Sequence, residues 1–250
     1  MEILEGKTAV VIGATSGVGR ATAKALVSAG VRVIAVARGT DGLSQLRSEI
    51  PAGVETLQAD AAEPATAERL LSDHRPDFVV LAAGVHPKMA PLDQQSWESF
   101  SEPWNADTKA AFHLVTAAIK LPLRAGSTVV VVSSGAAVSG SPLSGGYAGA
   151  KRMQWLLAGY AQQVADAKKL GLRFLAVVPK QMIEGTKIAA EASAAYGAKL
   201  GISAAEFMKR YGVPLDADKV ATTIVRSLLG ELAQGATAIG VTGQSVEALG

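Results

Sequence analysis

The chain has 250 residues, of which 49% are hydrophobic, 18% are charged and 26 are glycine; this suits one α/β domain with buried aliphatic strands and excludes a disordered chain. Its 24 Lys and Arg against 22 Asp and Glu give a net charge of +2, with the signs interspersed and no basic stripe for a nucleic acid. With no cysteine, disulfides, thiolate metal sites and cysteine nucleophiles are excluded, and the acidic start and broken apolar runs resemble neither a signal peptide nor a bilayer span, so a cytoplasmic protein with no membrane partner is expected.

Thr8 to Ile12 (TAVVI) predicts a strand buried on both faces, ending at Gly13. Gly17 to Gly30 predicts a helix, with Ala21, Ala25 and Leu26 at helical spacing. Strands follow at Val31 to Ala37, Val54 to Ala59 and Phe78 to Ala82, separated by helices over Leu43 to Ile50 and Pro64 to Ser72. Trp97 to Leu121 reads as helix with a break near Pro103. Ser127 to Ser133 holds four consecutive valines, the strongest strand signal in the chain. A long helix over Gly146 to Lys169, a strand over Leu172 to Val178, a helix over Ala217 to Leu232 and a last strand over Ala236 to Val241 complete the alternation. This order predicts a single-domain, doubly wound parallel sheet with right-handed crossovers, a Rossmann fold. Gly185 to Tyr211 interrupts it with an Ala-rich helical insertion, so residues 185–213 are expected to form a substrate lid over the carboxyl edge of the sheet; a surface helical excursion is the alternative.

Gly13-Ala14-Thr15-Ser16-Gly17-Val18-Gly19 joins the first strand to the first helix. Glycines there let backbone approach a pyrophosphate, the helix start offers free N–H groups and a partial positive charge, and Thr15 and Ser16 add hydroxyl donors. The second strand ends Val36-Ala37-Arg38-Gly39 without an acid. An acid there favours NAD, whereas Arg38 can pair with the phosphate of NADP, so NADP(H) is expected, with NAD(H) still possible. Asp60 can accept from an adenine amino group, with Ala61 beside it as a further cofactor contact; an Asx turn or helix cap before Pro64 is the other reading of Asp60.

Tyr147 and Lys151 lie one helical turn apart in Tyr-Ala-Gly-Ala-Lys and share a helix face. The charge of Lys151 favours the phenolate of Tyr147, which would let the phenol exchange a proton near neutrality. Ser134, at the end of the valine strand, can return to the same carbonyl oxygen across a loop rich in Gly and Ser.

Together these residues resemble the short-chain dehydrogenase/reductase family across nearly the whole chain. The likeness is carried by Gly13 to Gly19, Asp60, Ala82-Ala83-Gly84, Asn105 within Trp-Asn-Ala-Asp, Ser134, and Tyr147 with Lys151. The resemblance implies an NADP(H)-dependent oxidoreductase working between a small-molecule carbonyl and its alcohol. Tyr147 would be the general acid or base, Ser134 would orient the substrate oxygen, and Lys151 would hold the nicotinamide ribose. Asn105 would connect Lys151 to solvent, Ala83 and Gly84 would pass the adenine ribose, and Pro179 would border the nicotinamide. It also implies a homotetramer or homodimer built on the two long helices. A non-catalytic dinucleotide-binding sensor is the alternative on the same fold.

Four departures from the family pattern stand out: Ile12 before the first glycine, Leu81-Ala82 where two Asn are usual, Lys180 after Pro179 where Gly is usual, and Thr186 farther along than a carboxamide-binding Thr. Lys180 would narrow the pocket or attract an anionic substrate. His86 reads as pocket lining or a surface loop residue, and Trp97, Trp104 and Trp155 read as packing residues. His74, His86 and His113 lack ligand spacing, so no metal is expected.

Overall fold

The computed structural model describes residues 4–121, 123–232 and 235–249; the first three residues of the acidic start lie outside them. Among the described residues the strands are β1 (Thr8–Ile12), β2 (Arg32–Ala37), β3 (Val54–Gln58), β4 (Phe78–Leu81), β5 (Thr128–Val132), β6 (Arg173–Pro179), β7 (Ala238–Val241) and β8 (Val246–Leu249). The helices are α1 (Gly17–Ser28), α2 (Thr40–Glu49), α3 (Pro64–His74), α4 (Trp97–Pro103), α5 (Lys109–Lys120), α6 (Ala136–Ser139), α7 (Tyr147–Ala167), α8 (Lys187–Leu200), α9 (Ala204–Lys209) and α10 (Ala217–Leu228).

The strands form one sheet in the order β3-β2-β1-β4-β5-β6-β7-β8. Alternate residues of each strand face opposite layers. Val11, Val33, Val80 and Val177 pack against Leu26 of α1, Leu46 of α2 and Ile224 of α10. Val10, Val79, Val131 and Phe174 pack against Leu70 of α3, Leu114 of α5 and Ala161 of α7. The strand order reverses between β1 and β4, which opens a crevice beyond their carboxyl ends, where ligands of such sheets bind.

The pairs from β3 to β7 are parallel, as the alternation of runs requires, but β8 was not expected and runs antiparallel to β7. A tight turn suffices to return an antiparallel strand. In this turn Thr242 N–H donates to the Ser245 carbonyl at 2.9 Å, and Thr242 Oγ1 accepts from Gln244 and Ser245 N–H. Each edge strand carries an acid matched to a base: Arg32 meets Glu55 at 3.5 Å, and Lys180 meets Glu247 at 2.6 Å.

The helix expected over Trp97 to Leu121 is two helices joined by a wide π turn over Trp104–Thr108. Pro103 has no N–H and its ring crowds the preceding turn, so the regular ladder stops there. The chain resumes with Lys109 N–H reaching back five residues to the Trp104 carbonyl. One extra residue in a turn rotates the rest of the helix about its axis, which decides which side chains face α7. The expected insertion folds as α8 and α9. Thr186 caps α8 by accepting from Ala189 N–H, and Ser203 with Glu206 forms a capping box on α9. No described helix is long and apolar enough to cross a membrane.

Candidate active site

The loop after β1 is shaped by close approach. Gly13 has φ +84°, and a Cβ there would lie 2.5 Å from Ala83 N. A Cβ on Gly19 would collide with the Gly13 carbonyl. The loop therefore nests against Ala82–Ala83 at the β1/β4 crevice and delivers the start of α1 to it. α1 has no acid in its first turn, and Ser16 at its N-cap makes no capping bond. The first N–H groups, from Gly17 to Gly19, are left for an anion. Thr15 braces the loop from the other side, since a Cβ on Gly42 of α2 would meet the Thr15 Cβ at 2.7 Å. Such a cradle fits a dinucleotide pyrophosphate.

Arg38 is exposed at the end of β2, and its guanidinium makes no ion pair with the described residues. Its carbonyl accepts from Gln58 Nε2 at 2.9 Å, which fixes the backbone there. Asp60 Oδ1 accepts from Ala62 N–H at 2.9 Å, so the Asx turn is formed, with Ala61 at its centre. Thr186 is next to the phosphate loop, its Cγ2 3.5 Å from where a Gly17 Cβ would be, but its hydroxyl donates to the Ile183 carbonyl and caps α8.

A cavity of about 680 Å³ opens beside this loop, a volume in the range of small-molecule sites. Ser16, Gly84, Ser134, Tyr147, Lys151 and Pro179 all line it. The loop after β5 is pinned to the end of β6, with Gly135 N–H donating to the Pro179 carbonyl at 2.6 Å. Ser133 Oγ donates to the Lys151 carbonyl at 2.7 Å, tying that loop to α7. Ser134 Oγ accepts from Ala136 N–H at 3.3 Å, and its own hydrogen is free for a second partner. Lys151 is buried, with its Nζ 5.6 Å from the centre of the Tyr147 ring. Ser134, Tyr147 and Lys151, expected together, thus share one cavity.

Asn105 is not brought there. It sits on the π turn, and among the described residues its side chain donates only to Ser101 Oγ, at 3.4 Å. Asp107, two residues later, faces Lys151 instead. Its Oδ2 is 3.0 Å from Lys151 Nζ, in an ion pair poorly aligned as a hydrogen bond, and its side chain is fully buried. Its Oδ1 accepts from Val85 N–H at 2.9 Å. Gln154, one turn past Lys151, donates to the Asp107 carbonyl at 3.0 Å and locks the π turn to α7. Burial lowers the Lys151 pKa, but the Asp107 carboxylate and then the Tyr147 phenol outweigh it, leaving it raised above its ordinary value. The Lys151 charge is therefore shared with Asp107 as well as with Tyr147. The change in turn shape hid Asp107 from sequence spacing; Pro103 inside a helical run was the one signal available.

The short chain dehydrogenase family sequence model matches residues 7–197. The chain belongs to the short-chain dehydrogenase family. The chain is 38% identical over 112 residues to L-xylulose reductase of Mesocricetus auratus, a stretch covering 44% of this chain and 45% of that one. It is 28% identical to NADPH-dependent pterin aldehyde reductase of Arabidopsis thaliana, over 71% of this chain and 75% of that one. The chain thus spans about half the length of the first of these relatives and three quarters of the second. In fold it is similar to an actinorhodin polyketide ketoreductase solved with NADPH, at a TM-score of 0.80, with 21% identity and coverage of 95% and 96% of the two chains.

The geometry places one departure from this family's pattern, Lys180, and one residue left with two readings, His86. Lys180 lines the cavity, and its Nζ pairs with Glu247 on β8 at 2.6 Å while its stem crosses Gly240. The ammonium expected to narrow the pocket or attract an anionic substrate thus already has a carboxylate partner. His86 does line the cavity, and its Nδ1 lies 3.0 Å from Glu191 of α8. The cavity roof adds residues that no motif marked. Tyr196 and Phe207 stack with ring centres 5.6 Å apart, and Phe207 meets Tyr211 edge to face at 6.1 Å. Burial, and then Tyr196, push the Tyr211 phenol up. No group of three metal-ligating side chains forms among the described residues.

Proposed function

We propose that the chain is an NADP(H)-dependent oxidoreductase working between a carbonyl and a secondary alcohol, with reduction as its main direction. One observation carries this: Tyr147 and Lys151 line the same cavity as the start of α1, at the carboxyl edge of a parallel sheet. Bound NADPH supplies the hydride. Tyr147 donates the phenolic proton to the carbonyl oxygen as it gains charge, and takes it back in oxidation by microscopic reversibility. Ser134 donates a hydrogen bond to the same oxygen, which fixes the carbon's orientation. Lys151 has three donors, so the one turned to Asp107 leaves two for ribose hydroxyls and Tyr147.

The N–H groups from Gly17 to Gly19 would hold the pyrophosphate, and Arg38 the phosphate that distinguishes NADP from NAD. Asp60, Ala61, Ala83 and Gly84 would border the adenosine half, and Pro179 the nicotinamide. α8 and α9 serve as the substrate lid. A homodimer or homotetramer built on α4, α5 and α7 belongs to the same reading, supported by exposed Phe112, Tyr160 and Val164 on those helices.

The test is NADPH consumption on a panel of ketones, aldehydes and diketones, comparing the wild type with Tyr147→Phe. The wild type should turn over at least one, and the variant should lose about 10²- to 10⁴-fold in kcat. Equal rates in the two would refute the role of Tyr147.

A further inference from the structure

The carboxylate beneath Lys151 is costly for what a neutral side chain could do. Asp107 is fully buried and makes two polar contacts through its side chain, accepting from Val85 N–H and facing Lys151 Nζ. An Asn of the same size would serve the Val85 N–H equally well. The difference between the two is a charge, and a buried charge persists only when something opposite answers it. The space for the pair is also purpose-shaped. A Cβ on Gly84 would be 2.8 Å from Asp107 Oδ2 and 3.3 Å from Lys151 Nζ, so only a glycine lets the turn after β4 close over both groups. Three elements meet on this one ammonium: the π turn, the Gly84 turn and α7.

We infer that Asp107 is a positioning residue for Lys151, a buried counter-charge that clamps the ammonium against the Gly84 turn and keeps it charged before cofactor arrives. The titratable groups set against Lys151 are Asp107 from the π turn and Tyr147 from its own helix. Without the carboxylate, burial would push the ammonium toward its neutral form, and a neutral amine neither attracts the developing phenolate nor donates three hydrogen bonds. With it, Lys151 stays charged and aimed beneath the Tyr147 ring. The raised pKa of Lys151 has the sign this clamp requires. The role in catalysis rests on the reduction proposed above; the clamp itself does not.

The experiment has two arms, so failure of one reading does not mask the other. The first is an NMR titration of the apoprotein with 15N- and 13C-labelled lysine, in the wild type and Asp107→Asn, with Lys151→Met used to assign the signal. Wild-type Lys151 should stay protonated above the pH at which the exposed lysines titrate. In Asp107→Asn, which keeps the Val85 bond, it should titrate at least about one pH unit lower than in the wild type. A wild-type Lys151 that titrates with or below the exposed lysines overturns the inference without any variant, and so does an identical titration in both proteins. The second arm is kcat against pH for NADPH and whichever panel ketone the wild type reduces. The alkaline limb should move to lower pH in Asp107→Asn by the same amount, with KM for the ketone within about twofold. A limb that stays in place while Lys151 titrates lower would overturn the positioning role. Absence of wild-type turnover would count against the proposed reduction and leave the NMR arm to decide the clamp.

Discussion

The Tyr196 hydroxyl lies 2.8 Å from Ser141 Oγ and accepts from Leu143 N–H at 3.3 Å, joining α8 to the loop that leads into Tyr147. With the His86–Glu191 contact at 3.0 Å, it fastens the roof of the cavity on two sides. Tyr196→Phe removes one latch and keeps the stack on Phe207. A lost hydrogen bond of about 1 kcal/mol predicts a KM for the carbonyl substrate raised about fivefold, with kcat changed little. Steady-state kinetics measures this, and amide exchange in residues 187–200 should quicken in parallel. An unchanged KM would show that the latch does not hold the lid.

A second prediction concerns the entry to α7. A Cβ on Gly146 would collide with the Phe100 carbonyl and lie 3.0 Å from Trp104. Gly146→Ala should therefore cost about 1–3 kcal/mol by overpacking and lower kcat by displacing the adjacent Tyr147. Gly159, farther along the same helix, has only Thr237 Oγ1 near its would-be Cβ, at 4.0 Å. Gly159→Ala should instead stabilise by about 0.5–1 kcal/mol. Thermal unfolding of the two variants should shift in opposite directions; a shared direction would contradict the packing described.

Cofactor choice is testable at Arg38. If its guanidinium holds the NADP phosphate, Arg38→Ala should raise KM for NADPH about 10- to 100-fold, the worth of a charged hydrogen bond, and leave KM for NADH nearly unmoved. A wild type that uses NADH as well as NADPH would remove the basis for this prediction.

The buried pair has a signature in stability as well. The Lys151 pKa is raised from 10.5, so folding stabilises its protonated form. That stabilisation is fully present below about pH 10.5 and is lost as pH rises through the higher folded value. Urea unfolding followed from pH 8 to 11, with the alkaline end near the lysine range, should show a decline at its upper end that is weaker in Lys151→Met. Parallel curves would argue that the ion pair contributes nothing to pH dependence.

Much of the architecture was legible because the inner parallel strands are buried on both faces and must be short aliphatic runs, as at Thr8 to Ile12 and Thr128 to Val132. The Gly13 loop and the Tyr147–Lys151 pair were legible because their spacing is local. β8 was not, since four residues after a tight turn carry no periodicity of their own. Asp107 was missed for a different reason. Spacing rules assume a uniform helix, and the π turn after Pro103 shifts the residue that faces α7, leaving Asn105 away from Lys151. Lys180 lines the cavity as its place after Pro179 suggests, but its ion pair was not legible, because its partner, Glu247, sits on the strand that the sequence did not announce.

An open sheet of this width has two unpaired margins that offer free backbone groups to any passing strand. β3 and β8 each place a glutamate there, Glu55 and Glu247, held by Arg32 and Lys180 from neighbouring positions. Charges fixed at a margin make strand addition by another copy unfavourable. The pairing that gives Lys180 a carboxylate partner at the cavity wall thus also discourages this protein from polymerising edge to edge, and variants that neutralise Glu55 or Glu247 are the ones in which aggregation should first be sought.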